Sequence, residues 1–430
     1  MGAKPVKNLA EAPVVVIIGG GYAGCKLAKA LDAEFNVVMI DRKDYFLHNV
    51  GTPRGMVDTE FMKKLMIPYS ALLKNGHVIK GQVEKVTDNE VHMQGQDAPI
   101  TGFKYLVLAT GTSYAFPYKV PHSESQDVLP QYSEIATKIS KAKNIVCVGG
   151  GSTGLEAATE IACKYPATKV TIIHSRPKLF DDGTFKQAFG DKLEEHLSRG
   201  FPNVTLIKDD RLLPVEADGG EVAAQAKYVE PAGGKVSTQK GVTIECDLLF
   251  WCVGGRHNFS SYEEHFAGAM EKNGQLKADP FLQIVGHPRV FVAGDISTAG
   301  PFGTVGCAGD HAACIAANIK LNHKDSTMTA YKPSKPMNAT HLGTTYGAGC
   351  MAGPFGTQIV MGHKMVQMIK ADCFADNTWK DLGHAGAFGE KSVDSPDAQH
   401  LQNLLHMSEA DAEKLAAGLT VQEDGSSDHT

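Results

Sequence analysis

The sequence predicts an α/β fold with two Rossmann-like units, one inserted in the other, followed by a small C-terminal α+β domain. Three observations carry this expectation. The apolar run Val14 to Ile18 leads into Gly19-Gly20-Gly21-Tyr22-Ala23-Gly24, and Ile145 to Val148 leads into Gly149-Gly150-Gly151-Ser152-Thr153-Gly154, 130 positions later. Each motif opens a segment of helical periodicity. Two more apolar runs, Tyr105 to Leu108 and Val290 to Val292, end in small-residue turns on either side of the second motif.

The G-x-G-x-x-G pattern between a strand and a helix has a physical purpose. Its glycines permit a tight turn and let backbone approach a pyrophosphate, which rests on the N-terminal end of the following helix. One such loop is a weak signal. Two in one chain point to two dinucleotides held together, FAD and NAD(P)H, and so to a flavin reductase.

The first loop is assigned to FAD. After Gly24 comes a helix-like segment, Cys25 to Leu31, and then the strand Asn36 to Ile40, which ends at Asp41 and Arg42. Asp41 lies 22 positions beyond Gly19, close to the spacing of roughly 20 expected of an acid that bonds the adenosine ribose. A turn cap is the plain alternative. Ala109, Thr110 and Gly111 close the strand from Tyr105, and Gly294 and Asp295 close the one from Val290. Asp295 is expected to hold the ribityl chain or, through water, the pyrophosphate, unless it simply caps a turn. Val305 then begins a helix running through Ala317, whose N-terminus would favour negative charge on a flavin ring. The expected FAD set is therefore Gly19, Gly20, Gly21, Ala23, Gly24, Asp41, Arg42, Ala109, Thr110, Gly111, Gly294, Asp295 and Val305.

The second loop is assigned to NAD(P)H, with Gly149, Gly151, Ser152, Thr153 and Gly154 around the pyrophosphate. Glu156 falls in what reads as the first turn of the next helix, where an acid favours the positive helix end whatever else it does. Its functional reading is to orient the nicotinamide near the flavin. The strand Lys169 to Ile173 ends at His174, 20 positions beyond Gly154, where an NAD-selective site would place an acid. Arg176 or Lys178 could meet a 2′-phosphate instead. NADPH is expected to be accepted, with solvated loop cations as the alternative. Cys246 to Val253 reads as a further buried strand entering a turn at Gly254, and residues 204–245 read as a β meander.

At 430 residues the chain can build two or three domains. The expected division is 12–125 and 256–325 for FAD, 126–255 for NAD(P)H, 326–385 for the C-terminal domain and 386–430 for a helical or disordered tail. The composition is that of a globular protein, with 43% hydrophobic and 21% charged residues and a net charge of -6. That charge offers no nucleic-acid footprint. Nine cysteines include no Cys-x-x-Cys, so no redox dithiol or metal cluster is expected and the flavin would reduce its acceptor directly. No run reaches the roughly 18–20 apolar residues of a membrane span. The start, Met1 to Lys7, shows no cleavable targeting signal, so a cytoplasmic protein is expected. Gly2 invites acylation, but Val6 stands where that motif wants Ser or Thr.

Together these segments resemble the pyridine nucleotide-disulfide reductase superfamily. Within it they are most similar to the apoptosis-inducing-factor-like flavoproteins of the ferroptosis-suppressor branch. Asp44 to Asn49, Leu282 to Phe291 and Ala330 to Pro333 carry that likeness, which covers roughly residues 12–382. The resemblance implies an NAD(P)H:quinone oxidoreductase that reduces ubiquinone or vitamin K-type quinones at membranes, yielding hydroquinones that quench lipid radicals. A peripheral membrane or lipid-droplet surface then becomes a partner, and a homodimer is left open. The chain departs from the pattern at Val6, at Arg176, and in a tail from about Ala387.

In the C-terminal third, Met361, Met365, Met368 and Ile369 fall at helical spacing beside Lys364 and Lys370. The stripe fits core packing, or an apolar mouth for an isoprenoid tail. Lys370 could polarise a quinone oxygen or bond the flavin, with a plain surface lysine as the alternative. Tyr346, Phe355 and Trp379 are candidate channel walls. In the tail, Leu401, Leu404, Leu405 and Met407 precede a capping box at Ser408 to Asp411, which predicts a docked helical pair. Three rivals share the two loops: a respiratory-type NADH dehydrogenase, a reductase for a small iron–sulfur protein, and a cofactor-gated apoptosis-inducing signalling protein.

Overall fold

The computed structural model describes residues 11–217, 221–300 and 303–385, together with 402, 404, 405 and 410–413. Its first sheet has six strands in the order Gln283–Ile284, His287–Val292, Tyr105–Leu108, Val14–Ile18, Asn36–Asp41, His77–Lys80. All run parallel except the edge strand Gln283–Ile284, which pairs antiparallel with His287–Val292. Val14–Ile18 is buried on both faces, which is why it reads as an unbroken apolar run. Val15 and Ile17 face Leu27 and Leu31 of the helix Tyr22–Leu31, with Ile315 and Ile319 of the helix Val305–His323. Val14, Val16 and Ile18 face Val86, Val91, Tyr262 and Phe266.

The second sheet has four parallel strands in the order Val204–Ile207, Lys169–Ile173, Asn144–Val148, Leu248–Trp251. Val204–Ile207 thus joins the parallel sheet instead of opening a meander; further along, Lys235–Ser237 and Thr243–Glu245 pair as a hairpin, and isolated antiparallel bridges join Leu212 to Thr238 and Ala217 to Pro231. The two chain crossings between the sheets pair with each other, Thr112–Ser113 against Arg256–His257. A three-stranded antiparallel sheet follows, Asn338–Leu342, Tyr346–Ala352 and Gln358–Met361, with the helices His363–Lys370 and Ala375–Asp381.

The glycine loops repeat each other closely. Gly19 and Gly149 both adopt left-handed φ, at 108° and 116°. A Cβ on Gly24 would lie 1.8 Å from the Gly19 carbonyl oxygen, and one on Gly154 would lie 1.8 Å from that of Gly149. The third glycine of each motif is therefore needed for helix and strand to pack.

In the tail, Leu405 and Ala412 are buried in the core behind the first sheet. The Asp411 carboxylate accepts hydrogen bonds from the Asp97 and Ala98 amides. Leu401, Met407, Ser408 and everything beyond residue 413 lie outside the described residues. At the surface, Asp88 is bonded by His265 at 2.6 Å and His287 at 2.8 Å, tying the hairpin Val83–Val86/Val91–Met93 to the first sheet.

Gly24→Ala is expected to lower unfolding free energy by about 1–3 kcal/mol through overpacking. Urea unfolding checks this, with exposed Gly268→Ala as the near-neutral control.

Candidate nucleotide and acceptor sites

Both glycine helices start without a side-chain cap, at Gly21 and at Gly151. A Cβ on either glycine would meet nothing within 4 Å. Open space in front of unpaired helix amides is what a pyrophosphate requires. The residues present fit two dinucleotides.

Strand-end residues anchor both loops in the same way. Asp41 Oδ2 accepts the Gly20 amide at 2.6 Å, and Oδ1 accepts that of Lys43 at 2.8 Å. In the second loop His174 Nδ1 accepts the Gly150 amide at 3.3 Å, while Nε2 donates to the Lys178 carbonyl at 3.0 Å. Burial holds the His174 imidazole neutral, below the usual histidine range. His174 thus replaces the acid as acceptor and removes its charge. The Arg176 guanidinium is half-exposed and paired with Asp181 at 3.1 Å. Arg42 donates instead to the Pro121 carbonyl.

Around the other expected FAD residues, Thr110 and Asn258 exchange hydrogen bonds across the chain crossings, while Gly111 takes a φ of 62°. Ala109 offers its carbonyl to the close approach of Gly19. Asp295 Oδ1 accepts the Gly303 amide and Oδ2 accepts the Thr112 hydroxyl. The left-handed Gly294 donates its amide to His311 Nδ1, and its Cβ position faces Ala23 at 3.6 Å. Lys119, unremarked in the sequence, donates to the Thr112 carbonyl at 2.6 Å, and burial pulls its amine down to about 8. Gly254 opens onto free space.

Glu156 does not sit where the sequence reading put it. The helix begins at Ser152, so Glu156 is in its second turn, and the helix-end explanation fails. It is instead buried and ionised. Lys370 Nζ lies 2.6 Å from Glu156 Oε1 and also donates to the Ala339 carbonyl at 2.8 Å. Lys370 is therefore no surface lysine, being 6% exposed. One turn on, Glu160 accepts from Arg54 Nε at 3.0 Å. His341 stands between the two carboxylates, 3.1 Å from Glu156 and 3.0 Å from Glu160. Burial opposes ionisation of Glu156, but His341 and Lys370 overcome it and draw its carboxyl down to about 2. Arg54, Glu160 and His341 escaped the sequence reading, although the Glu156/Glu160 spacing could have raised the question of their counter-ions. Ser152 shares hydrogen bonds with Asn338 and Thr340, and Thr153 bonds Tyr114.

A cavity of about 300 Å³ lies between the first glycine helix, the start of the helix Val305–His323 and the C-terminal helix Ala375–Asp381. Tyr22, Phe46, Val305, Phe374 and Leu382 give it apolar walls, and His48 and Thr378 give it a polar edge. His48 Nε2 donates to the Cys373 carbonyl at 2.6 Å, so Nδ1 is left to accept from Tyr22 at 3.0 Å or Thr378 at 3.2 Å. Burial draws the His48 imidazole down to about 4, so it is neutral. The walls are not the aromatics singled out from sequence. Trp379 is buried and donates to the Lys64 carbonyl, Tyr346 packs on Phe201, and Phe355 is fully exposed. The methionine stripe is not core either: Met365, Met368 and Ile369 are exposed, Met368 by 72%.

Residues 13–318 match the family model of the pyridine nucleotide-disulphide oxidoreductases. The chain belongs to that family, and it is an FAD-dependent NAD(P)H oxidoreductase. It is 34% identical to apoptosis-inducing factor homolog B of Dictyostelium discoideum, over 80% of this chain and 92% of that one. It is 33% identical to ferroptosis suppressor protein 1 of Homo sapiens, over 86% of this chain and 95% of that one. Among solved structures, NDH2 of Plasmodium falciparum in complex with NADH shares the fold. Its TM-score is 0.63 at 13% identity, with 96% of this chain and 99% of that one covered.

Glu156 has a depressed pKa, so its contribution to stability is complete above the ordinary value of 4.5 and is lost as pH falls toward about 2. Glu156→Gln is expected to cost about 3–5 kcal/mol at neutral pH by leaving Lys370 and His341 buried with a weaker partner. Urea midpoints for both proteins across that acid range should converge.

Proposed function

We propose that this protein is an FAD-dependent NAD(P)H:quinone oxidoreductase that reduces ubiquinone-type or vitamin K-type quinones to hydroquinones at a membrane surface, protecting lipids from peroxidation. The observation that carries the reading is the apolar cavity bounded by Tyr22, Phe46, Val305, Phe374 and Leu382. Its size and lining suit a planar ring, and of the Tyr22 and Thr378 hydroxyls that meet at His48 Nδ1, the one not bonded there can donate to a quinone oxygen. The relatives named for ferroptosis suppression support it.

FAD, when bound, would supply the two-electron redox chemistry between nicotinamide and acceptor. The chain's residues bind and orient. Gly19, Gly20, Gly21, Ala23 and Gly24 receive the FAD pyrophosphate, Asp41 the ribose, and Asp295 the remaining chain, with Arg42, Ala109, Thr110, Gly111, Gly294 and Val305 around them. Gly149, Gly151, Ser152, Thr153, Gly154 and Gly254 receive NAD(P)H, whose 2′-phosphate meets a neutral His174 and the cationic Arg176 and Lys178. Glu156, held by Lys370, orients the nicotinamide. On this reading residues 12–125 and 256–325 form the FAD domain, 126–255 the NAD(P)H domain and 326–385 the C-terminal domain.

Exposed Phe355, Met365, Met368 and Ile369, with Lys364 beside them, support contact with a lipid surface. No helix among the described residues is long and apolar enough to cross a membrane. The neutral His174 disfavours a respiratory enzyme restricted to NADH.

Purified protein is expected to be yellow, to be bleached anaerobically by NADPH, and to turn over a short-chain quinone. A colourless protein, or flavin without turnover, would overturn the enzyme reading in favour of a binding or signalling role. Asp41→Ala should weaken FAD retention, read by the absorbance of protein after gel filtration. Met368→Glu with Phe355→Asp should reduce sedimentation with anionic lipid vesicles by about tenfold while leaving short-chain quinone turnover intact.

A further inference from the structure

Glu156 and Glu160 are both buried on one face of the helix Ser152–Lys164, a turn apart. His341, from the strand Asn338–Leu342, fills the gap between them. A neutral imidazole has one N–H and one lone pair. With a single proton on the ring, the other nitrogen would keep a lone pair about 3 Å from a carboxylate oxygen, and the ring would bring no charge to two buried anions. Only the doubly protonated ring suits both neighbours. Its Nε2–H makes a directed hydrogen bond to Glu160, whereas Nδ1 meets Glu156 obliquely, without hydrogen-bond geometry, so that contact is Coulombic. The backbone also takes part: the His341 amide donates to Glu156 at 3.3 Å, and that of Gly343 to Thr159 at 3.0 Å.

We propose that His341 is an imidazolium bridge between Glu156 and Glu160, and a positioning residue that fixes Glu156 in the nucleotide cleft. That Glu156 meets the nicotinamide rests on the function proposed above; the charge of His341 does not. Among the described residues, two further cations reach the same pair of carboxylates. Arg54 comes from the helix Thr52–Gly55 and Lys370 from the helix His363–Lys370. Burial pushes the Cys373 thiol up to about 12, so it adds no charge. Opposite His341 on the neighbouring strand stands Gly347, which adds no charge.

Three cations then face two anions, leaving one excess positive charge. Burial opposes the charge and Lys370 repels it, but Glu156 and Glu160 together overcome both, so the His341 pKa is raised above 6.5. The bridge is therefore complete below that ordinary value and is lost as pH rises through the elevated one. Glu156 stays ionised throughout, so the alkaline limit belongs to the histidine.

The test uses the full chain, as isolated, with ¹⁵N-labelled histidine. Over about pH 6 to 9.5, the resonance absent from His341→Gln should show both ring nitrogens protonated at neutral pH. A neutral tautomer there overturns the proposal. Stopped-flow reduction of the bound flavin by NADPH provides a second readout. His341→Gln should slow it about tenfold, leave NADPH affinity nearly unchanged, and abolish the alkaline limb of the rate. Glu160→Gln should move that limb, and the His341 resonance, at least about one pH unit lower. It serves if His341→Gln fails to fold, and an unmoved limb or resonance overturns the proposal. Absence of any reduction by NADPH would defeat the oxidoreductase reading alone, because the resonance still reports the bridge.

Discussion

Two carboxylates cannot be buried a turn apart on one helix unless cations are brought to them. That constraint organises the molecule. Arg54 arrives from the chain before the second glycine loop, and His341 and Lys370 from two elements of the C-terminal third. Three stretches distant in sequence are thereby pinned to one face of the second glycine helix. The same ions keep Glu156 anionic in a place where burial alone would protonate it.

The two glycine loops show a different economy. The same backbone turn, with the same forbidden Cβ at its third glycine, is built twice. The strand-end residue differs, aspartate in one and histidine in the other, yet both accept the middle glycine's amide. Hydrogen-bond function is conserved between the loops while charge is not. The charge at the strand end can thus change without disturbing the turn.

Much of the fold was legible because its signals are local. Apolar runs buried on both faces, followed by glycines, declare parallel strands and the turns after them, and the insertion of one sheet within the other follows from their order. The sites were less legible because their contacts are long-range. No local pattern reveals that Lys370 reaches Glu156, or that His341 lies between two acids. The C-terminal apolar stripe misled for a related reason: helical spacing marks an apolar face but not whether anything covers it. Met368 is exposed and Trp379 is buried, and sequence alone treats both as equal claimants to the acceptor channel. Val204–Ile207 was grouped with the stretch that follows it, whereas its partner is the parallel strand Lys169–Ile173 about 30 residues before it.

The nesting of the sheets also sets an order of assembly. Every strand of the four-stranded sheet lies between Asn144 and Trp251, so those strands can pair as soon as these residues have left the ribosome, while Glu156 and Glu160 wait for His341 and Lys370. The six-stranded sheet has to wait, because the flank of Tyr105–Leu108 stays bare until His287–Val292 is synthesised. During that interval the nascent chain carries an apolar strand edge open to mispairing. The inserted sheet pairs while its host is still incomplete, which makes the vulnerable period of biosynthesis the one before Val292.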